Sequence, residues 1–185
     1  MDNFEKSLSF VVGNEGGLSD HPADNGGLTN LGITQSTLDR ARLEINGLPS
    51  SVRNLTRAQA EEIYRVFYWE ASKADMMPYP LCTLHFDAAV NHGVGGAGKL
   101  LQKTINNYAA KAGLDAHVDV DGAVGLKTLA ALCQCLDLKG NVSLICEIYC
   151  NQREAYYKAI VDNNPSQGVF LKGWLNRLER NRALI

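Results

Sequence analysis

Apolar residues recur along most of this chain at spacings of three and four, the period of one face of an α-helix. Phe4, Leu8 and Val11 form the first stripe, Glu15 extends it by four residues, and Gly16-Gly17 offer a left-handed stop. From Leu28 to Thr34 the period changes, and short apolar and β-branched alternation around Asn30 predicts a small hairpin. Thr34 then caps a helix through Leu38, Ala41 and Ile45 that ends at Asn46-Gly47. A capping box, Thr56-Arg-Ala-Gln59, opens a helix carrying Ala60, Ile63, Tyr64, Phe67 and Ala71. Pro80 suits the first turn of the next, with Leu81, Leu84, Ala88 and Asn91 running to a stop at Gly93. Leu100, Leu101, Ile105 and Tyr108 predict another, ended by Gly113, and Leu129, Leu132 and Leu136 pack a further one inward. A long helix spans Leu144 to Ile160 with Ile145, Ile148, Tyr149, Tyr156 and Ile160 on one side. Trp174, Leu175 and Leu178 mark a last one after the Asn163 to Gly168 loop. The pattern predicts a mainly α protein with one small β-hairpin.

At 185 residues the chain suits one domain, 1–185, or two lobes sharing a cleft, divided as 1–80 and 81–185. A net charge of -2 supplies no strong field for nucleic acid, anionic membrane or anionic wall, so recognition rests on a shaped site. Five cysteines, an odd number, argue against a complete disulfide framework and for synthesis in a reducing compartment. Cys133, Cys135, Cys146 and Cys150 invite a zinc reading, but residues two apart on a helix point apart, and buried cysteine is commonly plain core. Met1 to Phe10 carries Asp2, Glu5 and Lys6 with no long apolar run behind them, so neither a signal peptide nor membrane insertion is expected.

Two carboxylates stand out chemically. Glu15 closes an apolar helical face near the negative end of the helix dipole, where desolvation and the dipole both raise a carboxyl pKa. Asp24 lies nine residues on, in a polar, glycine-rich turn that keeps a carboxylate hydrated and ionised. Paired carboxyls pushed apart in pKa are what acid-catalysed cleavage of a glycosidic bond needs. The plainer alternative makes Glu15 a helix-end residue and Asp24 an Asx-turn. Tyr68 and Trp69, at the end of the Thr56 helix, either line a sugar cleft through their flat faces or serve as core.

The run Glu15-Gly-Gly-Leu-Ser-Asp-His-Pro-Ala-Asp24-Asn-Gly-Gly-Leu-Thr29-Asn-Leu-Gly-Ile-Thr34 resembles the signature of family 108 glycoside hydrolases, phage and bacterial muramidases with a lysozyme-like fold. It is also similar to the Glu-Asp-Thr triad of phage lysozymes, whose Asp-to-Thr gap is one residue longer. The resemblance implies Glu15 as general acid, Asp24 as base or charge stabiliser, and Thr29 as positioner of water. Asn91-His92-Gly93 resembles an Asn-x-Gly near that family's cleft, which implies Asn91 as a substrate residue. Asp121-Gly-x-x-Gly125-x-x-Thr128 resembles a turn in the predicted peptidoglycan-binding module of these endolysins, and Phe170 to Arg177 looks like the family again. The family likeness also implies a lysozyme-like α+β fold with the hairpin beside the cleft and bacterial peptidoglycan as substrate, with no cofactor or metal and no nucleic acid. It further implies a monomeric endolysin, made in the host cytoplasm and reaching the wall through a separate holin.

Rival chemistries lack essential parts. Gly93-Val-Gly95-Gly96-Ala-Gly98-Lys99 mimics a nucleotide-binding loop, but such a loop needs a preceding strand, and Leu100 stands where a magnesium-binding hydroxyl belongs. His117 to Thr128 mimics a calcium loop but lacks its first and twelfth ligands. The four histidines form no His-Glu-x-x-His for a zinc amidase. A lytic transglycosylase, needing only the Glu, remains the near alternative.

Overall fold

The computed structural model describes residues 1–12, 29–137 and 141–185, which fall into two compact units, Met1–Ala71 and Ser72–Ile185. Glu15 and Asp24 lie outside the described residues.

In the first unit, α1 (Asn3–Val12) starts with a reciprocal cap, since the Glu5 amide donates to Asp2 Oδ1 at 2.7 Å and the Asp2 amide to Glu5 Oε2 at 3.0 Å. Its stripe of Phe4, Leu8 and Val11 is buried as its spacing predicts. The hairpin is present: β1 (Thr29–Asn30) and β2 (Ile33–Thr34) pair antiparallel, Thr29 opposite Thr34. Leu31 and Gly32 between them both take positive φ, 51° and 75°, the primed turn that matches strand twist. Leu31 is an uncomfortable residue there, and the Tyr64 hydroxyl holds it by donating to its carbonyl at 3.1 Å. Thr34 caps α2 (Gln35–Ala41), which is shorter than its apolar spacing predicts. Leu43 and Glu44 donate three residues back rather than four, so the chain tightens before Ile45 is buried. The capping box at Thr56 and Gln59 opens α3 (Arg57–Tyr64), and a π-helical turn over Arg65–Glu70 continues it.

The second unit is built on α4 (Leu81–Ala112), which packs along α6 (Asn141–Asn163) and against α5 (Leu126–Leu136), while α6 also carries α7 (Gly168–Arg182). Gly93 leaves helical geometry at φ 75° and ψ 160°, so the stop expected there is a corner inside one long element. The glycines after it permit a close approach. A Cβ on Gly98 would collide with the carbonyl oxygen of Gly122. Gln102 holds the same turn, accepting from the Gly122 amide at 2.8 Å and donating to Asp121 Oδ1 at 2.7 Å, and Asn106 pairs with the Val118 amide and carbonyl. The Asp-Gly turn is therefore pinned against α4. Gly98→Ala is expected to cost about 3 kcal/mol, because the obstacle is backbone that cannot rotate away. Urea unfolding measures this, and a midpoint equal to wild type would contradict it.

Two stripes turn out differently from their spacing. On α5 the buried row is Thr128, Ala131, Leu132 and Cys135, with Leu129 and Leu136 half-buried at its margins. Cys133 is exposed while Cys135 is buried, so those two thiols point apart. On α6, Ile145, Ile148 and Tyr149 are buried as their spacing predicts, but the inward row continues through Arg153 and Tyr157, and Tyr156 faces out. The reason is a buried ion cluster centred on Asp87.

Candidate active site

Within the first unit, α1, the hairpin tip and α3 enclose a groove of about 770 Å³. Phe4, Leu8, Val12, Leu31 and Tyr64 give it apolar walls, and Arg57 and Glu61, paired at 3.0 Å, sit among its polar groups. That size is typical of small-molecule clefts. Val12 precedes Glu15 by three residues and Leu31 follows Asp24 by seven, so chain on either side of both carboxylates lines this groove.

Thr29 is half-buried on β1. Tyr68 is half-buried on the π-helical turn, its ring 5.8 Å from that of Tyr64. Trp69 is only 5% exposed and meets Phe4 edge-on at 5.6 Å, so its faces are taken up by packing and it is core rather than a sugar platform. Asn91, exposed on α4 in the second unit, donates from Nδ2 to the Asp87 carbonyl at 2.6 Å.

The strongest electrostatics were missed by spacing. Asp87 is 0% exposed and accepts from Arg153, which is 1% exposed, and from Arg177 at 2.8 Å and Asn181 at 3.2 Å. Burial alone pushes the Asp87 carboxyl up, but the two guanidiniums together hold it below the usual range. Arg153 Nε also donates to His92 Nε2 at 3.2 Å and to the Tyr157 hydroxyl at 2.9 Å. Burial and then the Arg153 charge push His92 down to about 3. The signal was an arginine four residues from each of Tyr149 and Tyr157, with an aspartate inside the apolar run Phe86 to Val90.

His85 is buried between the Tyr149 hydroxyl at 3.1 Å and the Ser72 carbonyl at 3.0 Å, and burial lowers its pKa to about 4 against the raising effect of that carbonyl. Since the folded value lies below the unfolded 6.5, the stability linked to neutral His85 is complete above about pH 6.5 and is lost as pH falls towards 4. The loss is expected to reach at most about 3 kcal/mol, with His92 adding in the same direction. Urea midpoints at pH 7 and pH 4 test this, and equal midpoints would contradict it.

Residues 8–93 match the family model described as Glycosyl hydrolase 108, and residues 96–179 match one described as Predicted Peptidoglycan domain. The structure of SagA from Brucella abortus is 32% identical to this chain, covering 97% of it and 91% of SagA, with a TM-score of 0.77. The chain belongs to glycosyl hydrolase family 108. No curated protein is significantly similar to it.

This family 108 protein is a glycoside hydrolase acting on peptidoglycan, with the mainly α, lysozyme-like fold its residues resemble. Its two family matches meet near the Gly93 corner of α4, whereas its compact units divide at Ala71 and Ser72. Helix, not strand, leads into Gly93, so the nucleotide-loop reading of Gly93 to Lys99 lacks the structural setting that loop requires.

Proposed function

We propose that this hydrolase cleaves the β-1,4 bond between N-acetylmuramic acid and N-acetylglucosamine. Glu15 acts as general acid and Asp24 as base or charge stabiliser. The observation carrying this reading is the order Glu15, Asp24, Thr29 inside the stretch that matches the family. The groove beside the ends of that stretch supports it.

Protonated Glu15 donates to the leaving oxygen as oxocarbenium character develops, and Asp24 activates water from the opposite face, with Thr29 holding the water. This is the inverting arrangement, for which the carboxyls stand roughly 6.5–9.5 Å apart, against about 5–5.5 Å for retention. Asn91 and Tyr68 contact substrate. Residues 1–80 form the catalytic lobe and 81–185 the helical lobe. The biological setting is phage lysis, in which a monomeric endolysin made in the host cytoplasm reaches the wall after a separate holin opens the membrane. Among the described residues no helix is long and apolar enough to cross a membrane.

Mass spectrometry of digested wall tests the reaction. Reducing muramic acid ends are expected. Ends of the 1,6-anhydro type would mean that a hydroxyl of the substrate attacks in place of water, which makes the protein a lytic transglycosylase and removes the role given to Asp24.

A further inference from the structure

Arg65 stands where α3 widens into the π-helical turn, and it lines the groove of the first unit. Turns of this kind occur often at functional sites. Its guanidinium carbon sits over the Phe4 ring at 3.9 Å from the centroid, whereas Arg40 stands 5.9 Å from that of Phe67. Phe4 is buried and meets Trp69 edge-on at 5.6 Å, so the ring beneath Arg65 is fixed by the core. An exposed arginine is ordinarily a mobile side chain. Seated on a rigid base, this one has less freedom to lose when a ligand binds.

The ring covers one face of the guanidinium and leaves its N–H edge for other partners. Among the described residues none accepts from that edge. Of the carboxylates that line the groove, Glu61 accepts from Arg57 at 3.0 Å and Glu5 from the Asp2 amide at 3.0 Å. Glu62, the third, is exposed, so water and salt screen its charge. The groove therefore presents one positioned guanidinium with its donors unspent. A planar fork of N–H donors matches a carboxylate with two parallel bonds, which neither an ammonium nor a single hydroxyl can accept. A polyphosphate chain would call for a second cation, and Arg57 is already paired.

We propose that Arg65 binds a carboxylate of the peptide stem on muramic acid, and so makes the groove favour strands whose stems are not amidated. The proposal rests on the reading of this groove as the place where peptidoglycan is cut, and it adds which strands are preferred. The second stem residue, a glutamate, offers a free α-carboxylate in some walls and a carboxamide in others. The amide keeps one carbonyl oxygen, but its NH2 meets the guanidinium donors with donors of its own and it carries no charge. Half of the fork is then unmatched.

Two purified soluble strands that differ only in amidation of that carboxyl provide the test, with reducing-end release giving kcat/KM on each. Wild type is expected to favour the free carboxylate roughly tenfold, the worth of one charge-assisted pair in a partly open site. Arg65→Gln should bring the ratio close to one, chiefly by raising KM for the free-carboxylate strand. Arg65→Lys should keep part of the preference, because it retains the charge and loses the fork. Circular dichroism and urea midpoints like wild type establish that the variants fold. A wild-type ratio near one, or a ratio that survives Arg65→Gln, overturns the proposal. So does an equal fall in kcat on both strands with a displaced pH profile, which would mean that Arg65 acts on the protein's own carboxylates. A stem-free strand, whose lactyl group ends in a carboxylate, is the third arm. Dependence on Arg65 for that strand alone would assign the contact to the lactyl group and overturn the stem assignment. Calorimetric titration with soluble disaccharide-peptides reads binding without cutting. Binding that depends on both the carboxylate and Arg65, by a protein that cuts neither strand, retains the contact and removes the enzyme reading.

Discussion

Replacing Asp87 with alanine is expected to destabilise the protein by about 3–5 kcal/mol, the usual cost of removing one partner from a buried ion pair. The carboxylate is the shared acceptor for Arg153, Arg177 and Asn181. Without it Arg153, buried on the inward face of α6, keeps a charge with no counterion among the described residues and only His92 and Tyr157 as acceptors. Arg177 is better placed, because its side chain is partly exposed and can turn towards water. The damage should therefore centre on Arg153. The double variant Asp87→Leu, Arg153→Met is expected to recover much of the loss, since an apolar pair of similar volume carries no charge to strand. Urea unfolding of the full chain measures both. A single variant as stable as wild type, or a double variant as unstable as the single, would contradict this account of the cluster.

Glu15→Gln is expected to slow wall clearing by roughly three orders of magnitude, within the range for loss of a general acid, because the amide keeps the shape but cannot deliver a proton. Asp24→Asn is expected to lose roughly two to three orders, since Asp24 supplies either the base or the charge that stabilises the oxocarbenium ion. Loss of turbidity in outer-membrane-permeabilised cells measures both beside wild type. Clearing at wild-type rate by Glu15→Gln would remove this residue from the chemistry. Clearing lost in Glu15→Gln and kept in Asp24→Asn would favour attack by the substrate's own hydroxyl.

Local signals carried a large share of the fold. The Thr56 and Gln59 box, the Thr34 cap, the turn at Leu31-Gly32 and the corner at Gly93 depend on residues a few positions apart. Reading inward faces from apolar spacing failed where a polar residue found a distant partner. Spacing alone puts Tyr156 in the core of α6 and leaves no place for Arg153, because nothing within α6 announces the carboxylate at Asp87. Trp69 reads equally well as platform or core until its packing on Phe4 decides it. The glycines from Gly93 to Gly98 mimic a nucleotide loop in residue type alone, and the reason for so many of them at that corner shows only when Gly122 is found against Gly98.

The sequence by itself determined the family, the mainly helical order of elements and the residues proposed for the chemistry, since these are written in short runs of neighbours. Only the tertiary structure decided which polar residues are buried, which rings share a surface and which glycines are crowded. Those properties depend on pairs such as Asp87 with Arg153 or Gly98 with Gly122, far apart along the chain and joined only when the helices pack.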